Sequence, residues 1–223
     1  MFTEIIVQPL LNLTVFIYGT IGFADFGLTV ILVTLLVRLV VLPFSLKTAR
    51  SQREMAKLAP QLEQIKVQYK GNMQAQSEAT MKLYKEHGVN PMAGCLPLLI
   101  QLPVLFGMYR VFLDIFKPET LSLLYGFVHN PGTINQVSFG VLNISTASPI
   151  LAIVAGVIQF IQARMNLQMA GAKSPTAAMN KQMMYLMPAM IVVIGWSLPA
   201  GLPLYWIITT LVSIGEQLHV RRS

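Results

Sequence analysis

Residues 27–44 read GLTVILVTLLVRLVVLPF, an apolar run interrupted by one charged side chain, Arg38. As a helix the run rises about 27 Å at 1.5 Å per residue, close to the roughly 30 Å hydrocarbon core of a bilayer. It therefore predicts a membrane-spanning helix. Arg38 precedes Lys47 by nine residues, which puts it ~13 Å from a boundary at that lysine. An arginine at such depth costs about 2.5–3.5 kcal/mol on insertion scales. Snorkelling to the headgroups is one plain alternative, and a buried ion pair is the other. Asp25 and Asp114 fall near the opposite end of their spans, so no acid is expected at the depth of Arg38. An unpaired intramembrane arginine argues for water beside it.

Outward from this run the chain alternates apolar and basic segments. Charged residues make up 11% of the 223, against 54% hydrophobic, with a mean hydropathy of +0.61. Soluble domains carry roughly 25% charge, so a set of soluble domains is excluded. Residues 2–19 are apolar but broken by Glu4, Gln8, Pro9 and Asn12, and no Lys or Arg precedes them. They predict an interfacial amphipathic helix on the outer face rather than a signal peptide.

Residues 45–90 hold eight basic and four acidic residues. Leu58, Leu62, Ile65 and Tyr69 repeat at helical spacing, Gly71-Asn72 signals a turn, and Met73 to His87 resumes the pattern. A helical hairpin follows, with a kink at Pro60. Further spans are predicted at 95–116, 149–165, 183–198 and 202–218. Between them lie a loop at 117–147, a Met-rich basic connector at 166–181 and a tight break at Pro199-Ala200-Gly201.

The fold class is thus all-α, a polytopic membrane protein with five transmembrane helices in one domain, 1–223. Thirteen of the sixteen basic residues lie in 47–85, 164–181 and 221–222, each beside an apolar run. That placement explains the net charge of +7 without nucleic acid and assigns these segments to the cytoplasm. The N-terminus is then outside.

Other polar residues fit a cavity around Arg38. Thr34 is four residues earlier and on the same helix face. Gln101 falls early in the second span, Gln159 and Gln162 share a face of the third, and Tyr205 and Trp206 lie in the fifth. Each alone also fits ordinary interhelical hydrogen bonding. Arg110 and Asp114 have the spacing of a structural ion pair. Seven of thirteen methionines lie between 165 and 190, where packing and an adaptable binding surface are both open readings. The lone Cys95 excludes an internal disulfide and reads as buried packing. His87, His129 and His219 are scattered. No GxxxxGK[ST], GxSxG or HExxH motif is present, so neither an enzyme nor a metal or other cofactor is expected.

Three stretches carry a resemblance: VTLLVRLVVLPFSLKTARSQREMAKLAPQLEQIK, NPMAGCLPLLIQLPVLFGMYRVF and MPAMIVVIGWSLPAGLPLYW. They resemble the YidC family of membrane protein insertases, chiefly its bacterial branch, over about residues 20–218. The resemblance implies a five-helix core around a positively charged, water-accessible groove, open to cytoplasm and lipid and closed outside. It also implies that Arg38 is the groove arginine, and that Thr34 and Trp206 hold groove or substrate-contact positions. Gln162 matches the glutamine of the family's third-span IQ motif, Gln159 more weakly, and the hairpin matches a mobile substrate-receiving element.

Nascent membrane proteins are the implied clients, with the ribosome, the signal recognition particle pathway, the Sec translocon and membrane lipids as further partners. The implied location is the bacterial plasma membrane. No large extracytoplasmic domain is expected before span one, as in Gram-positive-type members, and no long basic tail after Ser223 for ribosome docking. A small channel or transporter using the same cavity is the alternative function, and a structural scaffold is a third. Flux of a solute would mark the channel, and a dispensable Arg38 the scaffold.

Overall fold

The computed structural model describes residues 2–89, 96–170 and 177–222. Cys95, the Asn90-Pro91 stop, Lys173 and Ser174 lie outside them. A π-helical turn, Thr3–Val7, leads into α1, Gln8–Thr20. Then follow α2, Phe26–Lys57, α3, Ala59–Gln68, and α4, Met73–Glu86. The chain continues with α5, Leu96–Asp114, a 3-10 turn at Pro118–Leu123, and a two-stranded antiparallel ribbon, β1 Val137–Ser138 and β2 Leu142–Asn143. It ends in α6, Pro149–Ala170, α7, Ala177–Gly195, and α8, Gly201–Arg222. The expected all-α class thus gains one small ribbon, inside the predicted loop.

Among the described residues, two helices are long and apolar enough to cross a membrane, Phe26–Lys57 and Pro149–Gln168, and Lys181–Gly195 is a shorter apolar helix. Several boundaries differ from the hydropathy reading. α2 does not end at Phe44 but runs on for 32 residues through Pro43. The proline removes one backbone donor, a loss that a long helix tolerates when its neighbours on both sides continue the ladder. α6 extends past Met165 to Ala170, so the third apolar helix is not short. Polarity rises along these helices without breaking them, because hydropathy marks lipid contact and not backbone geometry.

The predicted hairpin break appears where α2 stops at Leu58 and Pro60 opens α3. Gly71 takes φ +89° and the Asn72 side chain caps Ala75 N–H at 3.1 Å, so the Gly-Asn turn does what its chemistry predicts. α4 buries no residue.

α1 is not amphipathic in the sense expected. Its polar Asn12 and Thr14 are buried, while Phe16 is exposed. Asn12 is inward because it binds the loop after α5: Nδ2 donates to the Leu123 carbonyl and to the Gln8 carbonyl of its own helix, and Oδ1 accepts Tyr125 N–H at 2.6 Å.

The core is one-ended. On α2 its buried members are Phe26, Val30 and Val33, on α5 Met108, Val111 and Phe112 with Ile115 just beyond it, and on α8 Leu202, Leu204 and Tyr205. Phe26 sits edge-on to Phe112 and Phe116, with ring centroids 6.2 and 5.1 Å away. Beyond Thr34 no residue of α2 is buried until Thr48.

The packed end is tied down by Asp25. Its Oδ1 accepts Leu28 N–H at 2.9 Å as the α2 cap, and its Oδ2 accepts Phe139 N–H at 2.6 Å. Burial raises the pKa of this carboxyl. The hydrogen bonds from Leu28, Phe139, Ser138 and Gly27 outweigh that and hold it below its ordinary value. Phe139 and Gly140 both take positive φ, +54° and +74°, in a turn closed by Val141 N–H on the Ser138 carbonyl. A non-glycine residue keeps that conformation only where its surroundings hold it, as the Asp25 contact does here.

Candidate functional site

Arg38 lies four residues past the last buried position of this part of α2, Thr34, and it is half-buried. Its Nη2 donates to the Thr209 carbonyl of α8 at 2.8 Å. It has no carboxylate partner among the described residues. Its Nε is buried without a hydrogen bond, and so is the Thr209 hydroxyl. Leaving such groups unpaired costs about 1–3 kcal/mol each, so they mark a strip that favours polar company.

Thr34 is on the face of Arg38 but completely buried, and its hydroxyl donates back to the Val30 carbonyl at 2.5 Å. It forms the floor beneath the arginine, because helical spacing specifies a face and leaves depth open. Tyr205 is also buried, 2% exposed, and Gln101 Nε2 donates to its hydroxyl. Gln159 Oε1 accepts the Thr210 hydroxyl at 3.2 Å, across from α6 to α8. Trp206 is half-buried and packs against both that core and a second apolar cluster, Ala155, Ile191 and Ile207. Gln162 is half-buried on α6, one turn beyond Gln159.

α8 is therefore the hub. Its residues 205, 209 and 210 bond to α5, α2 and α6 respectively. Proximity of the packed core on one side and a polar row on the other gives the arrangement its chemistry. It can hold and orient charged or hydrogen-bonding groups, with Arg38 as the fixed positive centre.

Thr209, Thr210, Ser45 and Glu216 join the site without having been expected from the sequence. Thr209-Thr210 is a polar doublet inside an apolar run, a signal that was available. Glu216 is the single acid after Glu119. It lies in the predicted fifth span, 202–218, towards the end away from Asp25. It does not meet Arg38, however: its Oε2 accepts the Ser45 hydroxyl at 2.7 Å. The Arg110–Asp114 pair is replaced by Asp114–Lys117, at 2.6 Å. Arg110, exposed, instead lines a small cavity of about 90 Å³ between α1 and α5 with Gln8 and Asp114.

A long apolar helix with a buried-edge arginine, a one-ended core and a polar seam define a helical membrane protein. The 60Kd inner membrane protein family profile matches residues 16–223, and the chain belongs to that family. Its relatives include the membrane protein insertase YidC of Fusobacterium nucleatum, 35% identical over 89% of this chain and 87% of that protein. The membrane protein insertase MisCA of Bacillus subtilis is 34% identical over 97% of this chain and 77% of that protein. Among solved structures, the chain is similar to an active YidC insertase crystal structure with the first transmembrane domain resolved. The TM-score is 0.64 at 29% identity, over 90% of this chain and 43% of that one. The family suggested by the three sequence stretches is thus the family found.

Proposed function

We propose that the protein is a membrane protein insertase, which guides apolar segments and short hydrophilic tails of nascent membrane proteins into the bilayer. The observation that carries this reading is the one-ended core: packing is dense from Asp25 to Thr34 and gives way to polar contacts at Arg38. A cavity closed on one side lets a polar tail enter partway without opening a pore. The five-span topology follows, with α2, α5, α6, α7 and α8 crossing the membrane. The Asp25 end is outside, and α3–α4, residues 166–181 and the C-terminus are cytoplasmic.

The mechanism is physical. Moving a charged tail across the hydrocarbon core costs several kcal/mol per charge. Water drawn beside Arg38 and Thr209 shortens the dry path, and the arginine attracts acidic groups in the tail. Gln159, Gln162, Gln101, Tyr205 and Trp206 flank that path, with Thr34 as its floor. The client's own apolar helix then partitions into lipid, and its burial drives release at about 25 cal/mol per Å². The channel reading is less well favoured, because the buried Thr14 and Thr29 hydroxyls towards the Asp25 end are taken up by the Leu10 and Asp25 carbonyls, and Asn12 by the loop that follows α5.

Reconstitution tests the proposal. Liposomes containing the full chain should protect the translocated tail of a small single-span client from external protease, whereas protein-free liposomes should not. Equal protection in both would refute the reading. Topology has its own check: a cysteine at Ser174 should react with an impermeant maleimide only from the cytoplasmic side.

A further inference from the structure

Four buried side-chain polar atoms lack an aligned hydrogen bond among the described residues: Arg38 Nε, Thr209 Oγ1, Glu216 Oε1 and Gln217 Oε1. The first three belong to residues paired across the seam between α2 and α8, and Gln217 follows Glu216 on α8. Arg38 meets Thr209, and Ser45 meets Glu216, seven residues further along both helices. Seven residues are nearly two turns, so the helices run parallel and in register, with both contacts on one face ~10 Å apart along the axis. One end of the strip is positive and the other is acidic.

Glu216 is held differently from an ordinary structural acid. Its described partner is a neutral hydroxyl at 2.7 Å rather than a cation, and its second oxygen is buried without a partner. A buried carboxylate oxygen normally recruits a cation or a set of donors, because desolvation of the charge is otherwise uncompensated. Nearby Arg53 does not serve, since its Nη1 donates to the Val220 carbonyl at 2.8 Å. Glu216 therefore offers an acceptor towards whatever occupies the seam.

We propose that Glu216 is a specificity-determining residue that binds the basic flank of a client helix. The proposal rests on the insertase reading above and adds a second charge to it. Membrane helices carry Lys and Arg on the side that stays in the cytoplasm. A client lying along the seam brings its acidic tail past Arg38 and leaves its lysines beside Glu216, near the cytoplasmic end of α8. The two residues together recognise a client by the order of its charges, negative on the translocated side and positive on the retained side. No bond is made or broken.

The test uses the full chain in liposomes with two single-span clients that share an acidic tail. One has a lysine-rich retained flank and the other a serine-rich flank. Wild-type protein should insert the lysine-flank client several-fold better. Glu216→Gln should bring the two to parity, Glu216→Asp should restore the preference, and Arg38→Ala should weaken both clients together. An undiminished preference in Glu216→Gln overturns the proposal, as does an equal fall in both clients. Should Glu216→Gln fail to fold, carbodiimide coupling on the wild-type protein decides. Linkage of a client lysine to Glu216 supports the proposal, and linkage confined to Glu54, Glu63, Glu78 or Glu86 overturns it. Failure of wild-type protein to insert either client above protein-free liposomes is a separate result, and it rejects the insertase reading itself.

Discussion

Asp25 and Phe139, 114 residues apart in sequence, are joined by a 2.6 Å hydrogen bond from the Phe139 amide to a carboxylate that also caps α2. The loop ribbon is thereby fastened to the first residues of the helix that carries Arg38. Asp25→Ala should cost about 1–2 kcal/mol, the size of a lost cap, read as a lower melting temperature in detergent. The carboxyl is held below its ordinary pKa, so its contribution is fully present above the unfolded-state value and is lost as pH falls through the lowered one. The gap between wild type and Asp25→Asn should therefore narrow in acid. A gap that widens instead would reject this account.

Gly27 tests the same fastening by volume. A Cβ there would come within 2.5 Å of Phe139 Cε2 and 2.9 Å of Ser138 Cβ. Gly27→Ala must push the ribbon away, and the Gly27 N–H bond to Ser138 Oγ at 2.7 Å would go with it. We expect a loss of about 1–3 kcal/mol. Unchanged melting would mean that the ribbon moves freely on α2.

For Arg38, charge and shape are separable. Two unit charges ~10 Å apart attract by about 1.7 kcal/mol at an effective dielectric of 20, more than tenfold in a rate. Arg38→Lys should retain much of the insertion of acidic-tailed clients, whereas Arg38→Ala should lose about tenfold, with neutral-tailed clients affected less. Both lose the bond to the Thr209 carbonyl, worth about 0.5–1.5 kcal/mol, so both should still accumulate in the membrane. Equal damage from the two substitutions, with poor accumulation, would instead identify the guanidinium fork as a brace between α2 and α8.

α3 and α4 should exchange amide hydrogens faster than α5 and α7. α3 buries Ala59 and Leu62, and α4 buries nothing, so little apolar contact opposes local opening. Slower exchange in this pair would show a docking that the contacts do not account for.

Hydropathy and turn chemistry carried much of this architecture into the sequence. The apolar run around Arg38, the Gly71-Asn72 turn and the Pro60 break are local features, each decided by a few neighbouring residues. What could not be read is non-local or depends on depth. Nothing near Asp25 names Phe139, and the spacing that put Thr34 beneath Arg38 could not say that it is buried. Glu216 falls near the C-terminal end of its helix, where a lone acid among basic neighbours has the look of an exposed terminus. Ser45, its partner, lies just past the hydropathy edge, where the chain looks like the start of a separate segment.

That edge is not an edge in the backbone. α2 continues for 32 residues to Lys57, a rod about 48 Å long. Arg38 is near its middle, and the break at Leu58 is at its tip. Mechanically the rod is a beam, fastened at Asp25 and tied to α8 at Arg38, Ser45 and Arg53. A force applied to α3 and α4 would act on the tip, and any swing that resulted would carry α8 and the arginine's own helix together. Movement at the tip and the posture of the charge would in this way be two readings of one angle.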